Sequence, residues 1–102
     1  MALKTRDYDP ARHLDTEEAI EEYLLATCED GSPTEIARAL GVVARARGIA
    51  DLSRKTGLTR QALYKALSGE GNPELGTIAK VAEALGFRLT LARAGEGRQN
   101  AA

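Results

Sequence analysis

An all-α chain is expected, five short helices packed as a bundle and followed by one short C-terminal strand. Three observations lead there. Apolar residues recur at three- and four-residue spacing from Ile20 to Leu85, the period of amphipathic helices, and only after Gly86 does the period fall to two. Residues that open helices and glycines that close them punctuate the same stretch at short intervals. The interior must also be aliphatic, because the 102 residues include three tyrosines, one phenylalanine and no tryptophan. A chain of this length supports a single hydrophobic core.

Residues 1–14 show neither period and are expected as an extended lead-in, residues 15–93 as one helical domain with its strand, and residues 94–102 as a disordered tail. Asp15 with Glu18 has the layout of a capping box and opens a first helix, on which Ile20, Tyr23, Leu24 and Thr27 share a face before Gly31 ends it. Ser32, Pro33 and Glu35 supply a cap, a first-turn proline and a third-position glutamate for a second helix. Its apolar stripe is Ile36, Leu40, Val43 and Ala44, and Gly48 stops it. A short third helix over about 50–56 closes on Gly57, which can take the left-handed conformation of a helix end. Thr59 caps a fourth, running to about Ser68 with Ala62, Leu63, Ala66 and Leu67 inward. Gly69 to Pro73 reads as a loop. Ile78, Val81, Ala82 and Leu85 mark a fifth helix, closed by Gly86.

Beyond it, Phe87, Leu89 and Leu91 alternate with Arg88, Thr90 and Ala92, as on a strand. One strand alone leaves a row of unpaired backbone groups, and the chain offers no second. The same strand of a second copy is the expected partner, giving a two-fold homodimer.

The formal net charge of −1 conceals a segregation. From Asp7 to Glu35 there are ten acids and one base, Arg12, a net of −9; from Ile36 to Leu67 there are seven bases and one acid, Asp51, a net of +6. Such a division suits an anionic partner on one face, although chance clustering of solvated charges produces the same count. No apolar run approaches the roughly eighteen residues of a membrane span, and the N-terminus lacks a signal-peptide layout, so a cytoplasmic protein is expected. Cys28 is the sole cysteine, which excludes an internal disulfide, and it is expected as a buried, inert thiol. His13 is the sole histidine and has no catalytic or ligating partner at recognisable spacing. With no glycine-rich phosphate loop either, neither an enzyme nor a cofactor or metal site is expected.

The segment from Ile49 to Ser68 has the parts of a helix-turn-helix. Ser53 is small where two helices cross, Gly57 makes the turn, Leu58 plugs the angle, and Ala62 and Leu63 seat the second helix. That leaves Arg60, Gln61, Tyr64 and Lys65 on its outer face. Arginine can bond bidentately to guanine and glutamine to adenine in the major groove. Arg60, Gln61 and Tyr64 are therefore expected as base contacts, and Thr59, Lys65, Arg54 and Asn72 as phosphate contacts, on double-stranded DNA. The alternative is an ordinary helical hairpin with a polar surface.

The run from Gly69 to Gly86 adds a second block, in which Asn72-Pro73 precedes Thr77-Ile78-Ala79-Lys80-Val81-Ala82-Glu83-Ala84-Leu85-Gly86. Together the two blocks, from Gly48 to Gly86, resemble the Xre-type or Cro/CI-type helix-turn-helix family, which implies a lambda-repressor-like bundle. Ala50 departs from the pattern, standing where the family usually carries a Ser or Thr cap, a loss of about 1 kcal/mol.

The lead-in Ala2-Leu3-Lys4-Thr5-Arg6 with Asp9, the stretch Leu14 to Ile20 and the phrase from Gly57 to Leu67 look like the addiction-module antidote proteins, or HigA-like antitoxins, over nearly the whole chain. That resemblance implies a dimer that represses its own two-gene operon at operator DNA and neutralises a small basic toxin, typically a RelE-like ribonuclease. The acids Glu17, Glu18, Glu21 and Glu22 are the expected toxin-binding face, with an ordinary solvated helix face as the equal alternative, and Phe87, Leu89 and Leu91 the dimer strand. A regulator of the same fold with no toxin partner, or an interaction module that has lost DNA, are the rival readings.

Overall fold

Five helices form among residues 14–94, the residues that the computed structural model describes: α1 Glu17–Asp30, α2 Pro33–Arg47, α3 Ile49–Thr56, α4 Arg60–Ala66 and α5 Leu75–Ala84. The expectations for the lead-in before Leu14, His13 included, and for the tail after Ala94 lie outside the described residues.

The helix starts follow from local chemistry. Thr16, rather than Asp15, caps α1, its hydroxyl accepting from the Ala19 amide at 3.0 Å. The helix begins one residue later than the Asp15–Glu18 spacing suggested, which leaves Asp15 outside the capping position. At α2 the reciprocal box forms as expected: the Glu35 amide donates to Ser32 Oγ at 3.2 Å and the Ser32 amide to Glu35 Oε1 at 2.9 Å, with Pro33 in the first turn. Gly48 occupies the cap position of α3 at φ 111° without a side-chain bond, and Ala50 lies inside the helix rather than capping it.

Helix α2 packs against α1, α3 and α5, and α3 packs in turn against α4 and α5. Val43 of α2, Leu63 of α4 and Val81 of α5 are the largest fully buried side chains, so the core lies where these three helices converge. Burying an aliphatic side chain of this kind stabilises by about 1.5–3 kcal/mol. Leu14, read from sequence as the end of the lead-in, is 7% exposed and joins the same core. Ile36, Tyr23 and Ile78 are only partly buried at the core's margin.

The expected C-terminal strand does not form in the single chain. Phe87 is the apolar residue of a helix-ending motif instead: its amide donates to the Ala82 carbonyl at 2.8 Å, the Gly86 amide donates to Glu83 at 3.0 Å, and Gly86 sits at φ 95°. The aromatic ring packs on the core margin, so its place in the two-residue period reflects a helix stop. From Arg88 to Ala94 the chain has no regular secondary structure, because no described segment supplies the ladder of hydrogen bonds that a strand requires. Leu89 is 43% and Leu91 98% exposed.

Among the described residues no helix is long and apolar enough to cross a membrane, and no three His, Cys, Asp or Glu residues are grouped to hold a metal. Cys28 is exposed, not buried, because its turn of α1 runs past Leu24, the last buried residue of that helix. Partial desolvation nevertheless raises the pKa of its thiol and favours the protonated form.

Candidate nucleic-acid interface

The turn between α3 and α4 is bolted by two side chains of α3. Gly57 stands at φ 78°, a left-handed conformation that glycine reaches without a Cβ penalty, and its amide donates to the Ser53 carbonyl at 2.9 Å. Ser53 is more than a small crossing residue, since its hydroxyl donates to the Leu58 carbonyl at 2.5 Å. Thr56 adds a second bolt that the sequence reading did not identify. Its hydroxyl donates to the Leu52 carbonyl at 2.8 Å and accepts from the Leu58 amide at 3.1 Å. A threonine directly before a turn glycine is the signal that could have revealed it.

Thr59 opens α4 by accepting from the Ala62 amide at 3.0 Å. The helix is then held by Leu63, fully buried, and by Leu67, 6% exposed. With that side fixed inward, Arg60, Gln61, Tyr64 and Lys65 all lie exposed, Tyr64 at 54%. The helix ends at Ala66, a residue or two before the expected stop at Ser68.

Two shallow clefts flank α4. Lys65 and Asn72 line one of about 240 Å³, together with Glu70 and Glu74 of the following loop. Tyr64 lines the other, about 270 Å³, with Arg45 of α2 and Ser68. Arg54 is exposed on α3 and paired with Asp51, which also binds Lys55 at 3.2 Å, so this small network carries a net charge of only +1. Exposed pairs of this kind contribute about 0–1 kcal/mol and exchange readily. The expected phosphate set is thus divided: Lys65 and Asn72 share a cleft wall, while Arg54 is already engaged by a carboxylate.

The acidic residues occupy a separate element. Glu17, Glu18, Glu21 and Glu22 are exposed on α1, and Glu17 reaches Arg47 of α2 at 3.3 Å. Glu17 therefore ties α1 to α2, while Glu18, Glu21 and Glu22 have no ion-pair partner among the described residues.

A family model described as "probable addiction module antidote protein" matches residues 4–93. The chain belongs to the addiction module antidote family. A relative from Haemophilus influenzae, described as an uncharacterized protein, is 42% identical over 89 residues, which cover 87% of this chain and 92% of the relative. No solved structure matches the chain. Antidote membership supports an antitoxin role, and it spans both the acidic helix α1 and the α3–α4 turn in one match.

Proposed function

We propose that this antidote protein is a HigA-like, Xre-type antitoxin of a type II pair. It acts in the cytoplasm, inserts α4 into operator DNA to repress its own operon, and neutralises a RelE-like ribonuclease. The observation that carries the DNA reading is the presentation of Arg60, Gln61, Tyr64 and Lys65 in solvent from a helix anchored by Leu63 and Leu67. Arg60, Gln61 and Tyr64 read base edges, and Thr59 and Lys65 bind phosphate. The toxin contact falls on the opposite charge: Glu18, Glu21 and Glu22, with Glu17, steer a cationic protein to α1.

Dimerisation completes the reading. The segment from Arg88 to Ala94 makes no backbone hydrogen bond among the described residues and exposes Leu89 and Leu91. Pairing it with the same segment of a second copy supplies both the ladder and the apolar cover. Two α4 helices related by that axis meet half-sites about 34–36 Å apart or a multiple of it.

The test is co-expression with the product of the adjacent reading frame, followed by a gel shift on the DNA upstream. Relief of toxicity and a retarded band are expected together. A retarded band with no toxic neighbour would favour a plain regulator, and relief of toxicity without any DNA shift would favour an interaction module.

A further inference from the structure

Seven bases fall between Ile36 and Leu67, and the fold engages four of them. Arg38 donates from Nε to the Ser68 carbonyl at 3.4 Å. Arg47 pairs with Glu17 at 3.3 Å, and Arg54 and Lys55 share Asp51. Arg45, Arg60 and Lys65 remain, each without an acid or carbonyl partner among the described residues. Two of these belong to α4. Arg45 does not, and no role was expected of it.

We infer that Arg45 is a phosphate contact of the DNA interface, on the Tyr64 flank of α4, in the place first expected of Arg54. The inference rests on the DNA-binding reading above and deepens it.

The geometry of α4 divides its neighbours. At about 100° per residue, with Leu63 directed inward, Tyr64 and Leu67 fall to one flank and Ala62, Lys65 and Ala66 to the other. The clefts follow the same division: Leu63, Tyr64 and Leu67 line one with Arg45, and Ala62, Lys65 and Ala66 line the other with Asn72. A helix seated in the major groove has a sugar-phosphate backbone on each side. Lys65 serves one side. On the Tyr64 side Arg60 also falls by helical phase, about 60° from Leu63. It is assigned to base edges in the reading above, which leaves Arg45, carried by the last turn of α2, as the cation for the backbone.

Availability favours Arg45 over Arg54. A phosphate that takes Arg45 breaks no ion pair in the free protein. A phosphate that takes Arg54 must draw it from Asp51, whose carboxylate is then left close to another anion.

The test is the salt dependence of binding to a random-sequence DNA duplex, which needs no knowledge of the operator because non-specific binding is electrostatic. Arg45→Ala is expected to reduce the slope of log K against log salt by about 0.9, the amount for one phosphate contact. Arg45→Lys should retain the wild-type slope and Arg54→Ala should leave it unchanged, with thermal midpoints showing that each variant folds. An unchanged slope in Arg45→Ala beside salt-dependent wild-type binding would overturn the inference and leave the DNA reading intact, and a reduced slope in Arg54→Ala alone would return the role to that residue. Wild-type protein that shows no salt-dependent binding would overturn both.

Discussion

Across the turn that precedes α4, the Ser53 hydroxyl donates to the Leu58 carbonyl at 2.5 Å. It joins the last turn of α3 to the residue that plugs the angle before the next helix. Ser53→Ala leaves a half-buried carbonyl without its donor and should cost about 1 kcal/mol, since a typical hydrogen bond contributes 0.5–1.5. Urea unfolding should show a lower midpoint with an unchanged slope; an unaltered midpoint would mean that the bond carries no net stability.

Two helical glycines should respond in opposite directions to alanine. A Cβ on Gly41 would lie 2.8 Å from the Leu67 backbone oxygen, whereas one on Gly76 would meet nothing within 4 Å. Alanine improves helix propensity by up to about 1 kcal/mol, but overpacking a fixed backbone costs about 1–3 kcal/mol. Gly41→Ala should therefore lower stability and Gly76→Ala raise it slightly. If Gly41→Ala stabilises, α2 and α4 have room to separate.

On operator DNA, Arg60→Ala and Gln61→Ala should each lose about 1–3 kcal/mol and relax preference at particular base pairs. Lys65→Ala should weaken every sequence alike. Competition binding against single-base operator variants separates the two patterns. Equal losses from all three substitutions on every duplex would contradict the division into base and phosphate contacts.

The parts of this fold that were legible in sequence are those set by neighbours a few residues apart. The Ser32–Glu35 box, the Thr59 cap and the Gly57 turn each need only local spacing, and all three form. Where two cap-competent residues stand side by side, as Asp15 and Thr16 do, spacing alone could not choose between them. The burial of Leu14 was not legible, because a single apolar residue outside a helix carries no period, yet the core takes it up. The helix-stop role of Phe87 was hidden for the converse reason, since such a hydrophobe two residues before an exposed leucine imitates the period of a strand. Of the candidate interface, the outer face of α4 follows from helical phase once Leu63 is placed inward. The ion pairs that engage Arg47 and Arg54 depend on which side chains meet, and charge counting treated all seven bases as equal.

Replacing Glu17, Glu18, Glu21 and Glu22 by glutamine should slow association with the toxin at low ionic strength, and the difference should shrink as salt rises. Stopped-flow rates at two salt concentrations provide the check. Identical rates at both would remove electrostatic steering from the contact.

Leu91 is 98% exposed in the single chain, so Leu91→Asp should leave the bundle's own fold undisturbed. In light scattering at micromolar concentration the wild-type chain should show the mass of a dimer and this variant that of a monomer. A monomeric wild-type chain would remove the C-terminal segment as an interface.

The clamp formed by Gly86 and Phe87 sets the bearing at which the polypeptide leaves α5, because the turn is fixed by two amide bonds and by a ring pressed on the core margin. If the segment beyond it pairs two copies as proposed, the spacing between their α4 helices depends on this helix stop, well away from the residues proposed to touch DNA.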